Sequence, residues 1–197
     1  MTTRTLTIAF SSALHHGSGF GRGGLVDRTI LRDSVRLPYL AGSSIKGRFR
    51  HAVLRVLLAF GEKACQQSDH LAVCKEKPYC ALCELFGSQF RQGGLIFTDA
   101  RLEATAARLF EAILEGSGST PRDAIVRSST AIDRELRTAR PHLLFTTEAL
   151  PPGLTFSGRI LGEAGGNESF LQDACKVLTH FGADGARGLG RCEYKVT

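Results

Sequence analysis

No stretch of this sequence holds the ~20 consecutive apolar residues that a membrane-spanning helix requires, which excludes a helical membrane protein. The first ten residues, "MTTRTLTIAF", lack a secretion-signal pattern and pass directly into strand-like alternation, so a cytoplasmic protein is expected. There is no tandem repeat at a period of roughly 20–50 residues and no low-complexity tract, which excludes a repeat array. Acidic residues are scarce in one place. Between Arg22 and Arg55 the chain holds eight Lys/Arg against only Asp27 and Asp33, while the remainder is balanced at 17 basic and 17 acidic residues.

What is present fits one soluble globular domain. A chain of 197 residues with 43% apolar and 22% charged content can bury a sizeable core. The whole excess charge of +6 sits in the Arg22–Arg55 segment, and 19 of the 25 basic residues are arginine. Arginine suits bidentate phosphate contacts and stacking on bases. The segment therefore reads either as the footprint of a polyanion partner or as a plain basic surface.

Periodicity lays out the elements. "RTLTIAFSSAL" (4–14) alternates as a half-buried strand. A long Gly- and Arg-rich loop follows, "HHGSGFGRGGLVDRTILRDSVRLP", and loops of this length usually carry function or are disordered. "AGSSIKGRFRHAVLRVLLAFG" predicts a helix with Ser43 or Ser44 as N-cap and Gly61 at C′. Its apolar stripe is Ile45, Phe49, Ala52, Val53, Val56, Leu57 and Phe60, with Lys46, Arg48, Arg50 and Arg55 largely off it. Residues 62–94 form a compact, cysteine-bearing insertion. "GGLIFTDARLE" (93–103) predicts a strand, "TAARLFEAILEG" a short helix, "HLLFTTEAL" and "LTFSGRILG" strands, "ESFLQDACKVLTHFG" a helix and "GLGRCEYKVT" the last strand. Without the insertions the order is β-α-β-β-α-β, an α+β, ferredoxin-like plan that is also the RNA-recognition-motif scaffold.

"CQQSDHLAVCKEKPYCALC" places Cys65, Cys74, Cys80 and Cys83 within nineteen residues, the last two as C-x2-C. Reduced, clustered thiols favour metal over disulfide, and four sulfur ligands make a closed, structural Zn²⁺ site. His70 could stand in for Cys65, and the bland alternative is four unrelated thiols. Cys175 and Cys192 fall on apolar faces and are expected in the core.

"HFGADGARGLGRCEY" (180–194) sets four glycines and two arginines between a helix and the last strand. Glycine permits close backbone approach and positive φ, and successive N–H groups can cradle phosphate. No G-K-[ST] follows, so it is not a P-loop. Either it cradles phosphate or it is a tight connection with solvated arginines.

Three segments together resemble the repeat-associated mysterious protein (RAMP) superfamily of CRISPR systems: "GADGARGLGRC", "LPYLAGSSIKGRFR" and "GGLVDRTILRD". The middle one matches that family's Pro-x-x-x-Gly-Ser-Ser-x-Lys-Gly-x-x-Arg pattern at Pro38, Gly42, Ser43, Ser44, Lys46, Gly47 and Arg50. The first loop with the cysteine insertion resembles one branch, the backbone subunit of type III effector complexes, which polymerises along guide RNA and cuts target RNA. "TAIDRELRTARPHLLFTTEALPPGLTFSG" resembles that branch's thumb and next strand, which implies a thumb-like insertion at about 104–150 in a single RRM-like domain spanning 1–197.

The resemblance implies particular sites and partners. Guide RNA is expected on Arg22, Arg28, Ser43, Ser44, Lys46, Arg48 and Arg50, and on Gly185, Arg187, Gly188, Gly190 and Arg191 of the glycine loop. Lys46 and Arg50 share a helix face, and a helix N-terminus attracts phosphate. Ile132 and Asp133 mark the thumb region expected to wedge between bases. Asp27 matches the branch's catalytic aspartate. Its neighbouring arginines are expected to lower its pKa, which favours holding a catalytic Mg²⁺ or similar ion over acting as a base. Asp33 is the runner-up, but its place before a turn suggests structure. The implied partners are guide RNA, target RNA, further copies of the chain and other effector subunits. Two rival functions remain: guide processing by His15 or His16, and a scaffold that binds guide RNA without cutting.

Overall fold

The computed structural model describes residues 2–65, 74, 78–116 and 123–197. His70 lies outside the described residues. Strand β1 (Thr3–Phe10) buries Leu6, Ile8 and Phe10 on one face. It stops short of the expected end at Leu14, because Leu14 exchanges backbone hydrogen bonds with Leu150 instead (3.0 and 2.7 Å). After the first loop, a two-residue strand β2 (Tyr39–Leu40) leads into α1 (Gly42–Ala59).

The predicted stripe of α1 is buried from Ile45 to Leu57, but Phe60 is 70% exposed because it is already the C-cap. Gly61 takes the expected left-handed conformation (φ 75°). The N-cap is Ala41, not Ser43 or Ser44, and no side chain at that position caps the helix. The carboxylate of Asp99 does so from outside, accepting the Gly42 N–H at 2.8 Å. A negative charge there also complements the helix dipole.

Helix α2 (Ala81–Phe86) runs into a hairpin of β3 (Gly87–Ser88) and β4 (Arg91–Gln92). The strand expected at 93–103 is two strands, β5 (Leu95–Phe97) and β6 (Ala100–Leu102), broken where Asp99 turns aside to cap α1. Then come α3 (Ala104–Gly116), β7 (Ile125–Ile132), β8 (Ala139–Ala149), β9 (Thr155–Gly162), α4 (Glu168–Val177) and β10 (Cys192–Val196). Helix α4 ends before the predicted Phe181, since Leu178 is already extended, yet Leu178 and Phe181 remain buried.

The main sheet runs β10-β1-β9-β6-β2, with β5 also on β9, and every pairing is antiparallel. This is the βαββαβ plan, with its second strand split in two. Phe156 and Ile160 of β9, Tyr194 of β10 and Phe49 of α1 fill the core, and Phe49 meets Phe97 and Tyr194 at 5.4 and 5.8 Å between ring centroids. Truncating such a buried ring costs about 3–5 kcal/mol. Residues 104–150 hold α3 and the separate two-stranded ribbon β7–β8.

Candidate nucleic-acid interface

The first loop is built along the edge of β8. Glu148, only 4% exposed, anchors it: its carboxylate accepts the Ile30 N–H (3.1 Å) and faces Arg22 (3.8 Å), and its backbone N–H donates to Arg28 O (2.9 Å). A buried carboxylate needs such partners. No sequence pattern singled out Glu148.

Asp27 stands exposed beside this anchor. Its carboxylate oxygen Oδ2 accepts the Thr146 N–H (2.6 Å) and the Thr146 hydroxyl (3.1 Å), and its own N–H donates to the Thr146 hydroxyl (3.1 Å). These bonds hold its pKa below the usual carboxylate value, the Thr146 backbone contributing most. The expected direction is found, but the expected cause is not. Arg22 turns to Glu148, and Arg28 pairs with Asp184. Asp33 has a structural place: it accepts the amides of Val35 and Leu37 and pairs with Arg101 at 2.7 Å.

The glycine loop lies directly against the first loop. Asp184, in the left-handed region (φ 59°), pairs with Arg28 and reaches Arg187 at 3.4 Å. The Arg187 guanidinium sits 5.6 Å from the Phe145 ring centroid on β8. Two glycines are required by crowding. A Cβ on Gly182 would lie 2.4 Å from His15 O, and one on Gly190 would lie 1.9 Å from Phe181 O; both have positive φ. The expected phosphate cradle is reduced, because the Gly188 N–H donates to Gly185 O (3.1 Å) and the Gly190 N–H to Ala13 O (2.7 Å). Arg187 and Arg191 keep exposed side chains at this rim.

The first half of α1 borders a groove of about 750 Å³. Ser43, Lys46 and Arg50 form one wall, and Ser88, Gln89 and Arg91 of the β3–β4 hairpin form the other. Among the described residues, its lining includes three cations and no acid. Arg50 is steadied by donating to Gly87 O (2.6 Å), and Arg91 stacks over Tyr79 at 4.3 Å. Arg48 points the other way, donating to Gly182 O (2.9 Å), and Ser44 lines a small pocket on that side with His16. The sequence reading missed Arg91, whose hairpin strands are too short to leave a periodic trace.

The cysteines come together as expected. The sulfurs of Cys65, Cys74, Cys80 and Cys83 all lie within 4.8 Å of one another, with Cys65 and Cys74 at 3.3 Å. A tetrahedron of zinc–sulfur bonds needs sulfur–sulfur separations of about 3.8 Å, so the quartet can bind a metal such as zinc. Burial pushes the Cys80 thiol up, but hydrogen bonds from Cys65 and Cys83 outweigh it and bring it to about 7. Burial raises Cys65 and Cys83. Among the described residues this quartet is the one group of three or more His, Cys, Asp or Glu ligands. Cys192 is buried in β10, and Cys175 is half-buried on α4.

The histidines are taken up by the fold. His15 is 3% exposed, bonds Glu148 O through Nδ1 (2.6 Å), and accepts the Ala183 N–H on its backbone carbonyl (2.9 Å). His16 packs on Phe181, its ring centroid 5.1 Å away, and burial with the nearby His15 lowers its pKa to about 4. On the ribbon, Ile132 is 65% exposed beside the turn where Asp133 accepts the amides of Glu135 and Leu136.

A family model described as the RAMP superfamily matches residues 7–193. The CRISPR system Cms endoribonuclease Csm3 of Mycobacterium tuberculosis (strain ATCC 25618 / H37Rv) is 30% identical over 103 residues, covering 51% of this chain and 41% of that protein. Chains in two solved structures of the type III-B Cmr-beta complex are similar in fold. One, from the apo state, has a TM-score of 0.67 at 14% identity, covering 99% of this chain and 97% of that one. The other, from the complex bound to cognate target RNA, has a TM-score of 0.69 at 13% identity, covering 100% and 97%. No described helix is long and apolar enough to cross a membrane.

Proposed function

This chain belongs to the RAMP superfamily, and we propose that it is a backbone subunit of a type III CRISPR effector complex that binds guide RNA and cleaves complementary target RNA. The observation that carries the reading is Asp27: an exposed, ionised carboxylate held on the loop between Arg22 and Arg28, beside the glycine loop. Its lowered pKa makes it a poor base near neutrality and a good cation ligand. In this reading the target's 2′-hydroxyl attacks the adjacent phosphorus in line, forming a 2′,3′-cyclic phosphate and releasing a 5′-hydroxyl. A divalent ion such as Mg²⁺, held by Asp27 with RNA oxygens and water, would stabilise the charge that develops there.

Lys46, Arg50 and Arg91 would hold the guide's phosphates in the groove, fixing register while base pairing supplies specificity. Arg22, Ser43, Arg187 and Arg191 would extend that surface. Gly185, Gly188 and Gly190 would shape it, while Ser44, Arg28 and Arg48 would contribute from the α1 and glycine-loop junction. Ile132 would meet the paired strands from the ribbon. The cysteine quartet would hold a structural Zn²⁺ that fixes the start of α2 and so the far wall of the groove. Copies of the chain and other effector subunits would complete the assembly. The burial of His15 weighs against the guide-processing alternative.

The test is to assemble the chain with guide RNA and its partner subunits and to supply a complementary RNA. Regularly spaced cuts support the reading; guide binding without any cut makes the chain a scaffold.

A further inference from the structure

We infer that Thr146 is the positioning residue for the Asp27 carboxylate. This deepens the proposed function and rests on the reading of Asp27 as the cleavage residue.

An exposed aspartate is free to rotate about two side-chain bonds, and a reacting group displaced by an ångström loses much of its rate. Asp27 is not free. Its Oδ2 is bracketed by the Thr146 N–H at 2.6 Å and the Thr146 hydroxyl at 3.1 Å. The hydroxyl in turn accepts the Asp27 N–H at 3.1 Å, and the Thr146 carbonyl accepts the amides of Asp27 (3.2 Å) and Arg28 (3.1 Å). One residue of β8 thus grips both the backbone and the side chain of a loop residue 119 positions away.

The contacts from other described residues to the carboxylate all fall on Oδ2 and none on Oδ1, so Thr146 fixes the carboxylate by one oxygen. Threonine suits the task because its hydroxyl can donate to the carboxylate and accept from the loop amide at once. Valine keeps the shape and the backbone N–H but loses both hydroxyl contacts to Asp27, together with the hydroxyl's contact to Leu25 O at 3.3 Å. Serine keeps them. Thr146 also belongs to the ribbon, paired with Ser128 of β7, so the anchor sits on a hydrogen-bonded element rather than on another loop.

The test uses the assembled complex with guide RNA, comparing wild type, Thr146→Val, Thr146→Ser and Asp27→Ala. Single-turnover cleavage at saturating target is measured beside target-binding affinity and thermal melting. The inference expects Thr146→Val to cut about 10-fold or more slowly, the loss expected for a hydrogen bond to a charged group. Thr146→Ser should restore most of the rate, target binding should not move, and melting should fall by no more than the few degrees that the lost hydroxyl contacts cost. A Thr146→Val complex that cuts at the wild-type rate while Asp27→Ala is inactive overturns the inference and leaves the function standing. Slow cutting that Thr146→Ser does not restore, or that comes with weaker target binding or a larger fall in melting temperature than those few degrees, also overturns it, by making the residue merely structural. Normal cutting by Asp27→Ala overturns the reading of Asp27 itself, and the inference with it.

Discussion

Arg28 of the first loop pairs with Asp184 of the glycine loop, 156 residues later in the chain, and so locks together two segments that both belong to the proposed RNA surface. Arg28 is therefore already paired before any RNA arrives. Asp184 also sits at positive φ, where asparagine is tolerated better than alanine. We expect Asp184→Asn to cost about 1 kcal/mol through the lost pair, and Asp184→Ala more. Denaturant melts of both variants check this. A double-mutant cycle with Arg28→Ala should show that the two losses are not additive.

The groove predicts a shared electrostatic behaviour for three side chains that come from two elements, Lys46 and Arg50 from α1 and Arg91 from β4. Lys46→Ala, Arg50→Ala and Arg91→Ala should each weaken RNA binding without regard to sequence. Each should also reduce the slope of log affinity against log salt by about 0.7, the value for one phosphate contact on a single strand. Binding titrations at several salt concentrations give that slope. Arg50→Ala should also lower stability, since it loses its bond to Gly87 O.

The cysteine quartet predicts one tightly held metal per chain. Metal analysis should find zinc in the purified wild-type protein and little in Cys83→Ser, while Cys175→Ser, outside the quartet, keeps it. Chelation should lower the melting temperature, because metal-binding free energy is folding free energy at such sites. It should also weaken RNA binding, because α2 begins directly after Cys80 and ends at the groove-lining Phe86.

His16 predicts how stability responds to acid. Its folded pKa of about 4 lies below the ordinary 6.5, so the unfolded chain binds the proton more readily. The stabilisation is fully present above pH 6.5 and is lost as pH falls toward 4, by an amount on the order of 3 kcal/mol. His15 is shifted the same way by burial and adds to the slope. Urea melts at a series of pH values should show His16→Gln flattening the slope in that window.

The parts that were legible in the sequence are those where a period runs long enough to be seen. Strand β1, helix α1 as far as Leu57, and strand β9 bury the residues that their alternation or 3.6-residue spacing marks, and α4 with the turn after it buries Leu171, Ala174, Leu178 and Phe181. The four cysteines announced their meeting by type and spacing alone. What was hidden depends on long-range pairing. Asp99 breaks a predicted strand because it caps a helix that precedes it by 57 residues. Thr146 is an ordinary threonine in a strand until the first loop folds against it. The arginines beside Asp27 were assigned its charge because they are adjacent in sequence, whereas the fold sends them to Glu148 and Asp184. Charge counts along a chain do not say which partner each charge will find.

The account's central claim is that Asp27 carries target cleavage. The most direct measurement compares wild-type and Asp27→Ala complexes, each loaded with guide RNA, cutting a complementary RNA with Mg²⁺ and with chelator. The account predicts regularly spaced cuts in the wild type with Mg²⁺, lost in the variant and on chelation, with target binding unchanged. Cutting by Asp27→Ala at the wild-type rate would contradict it.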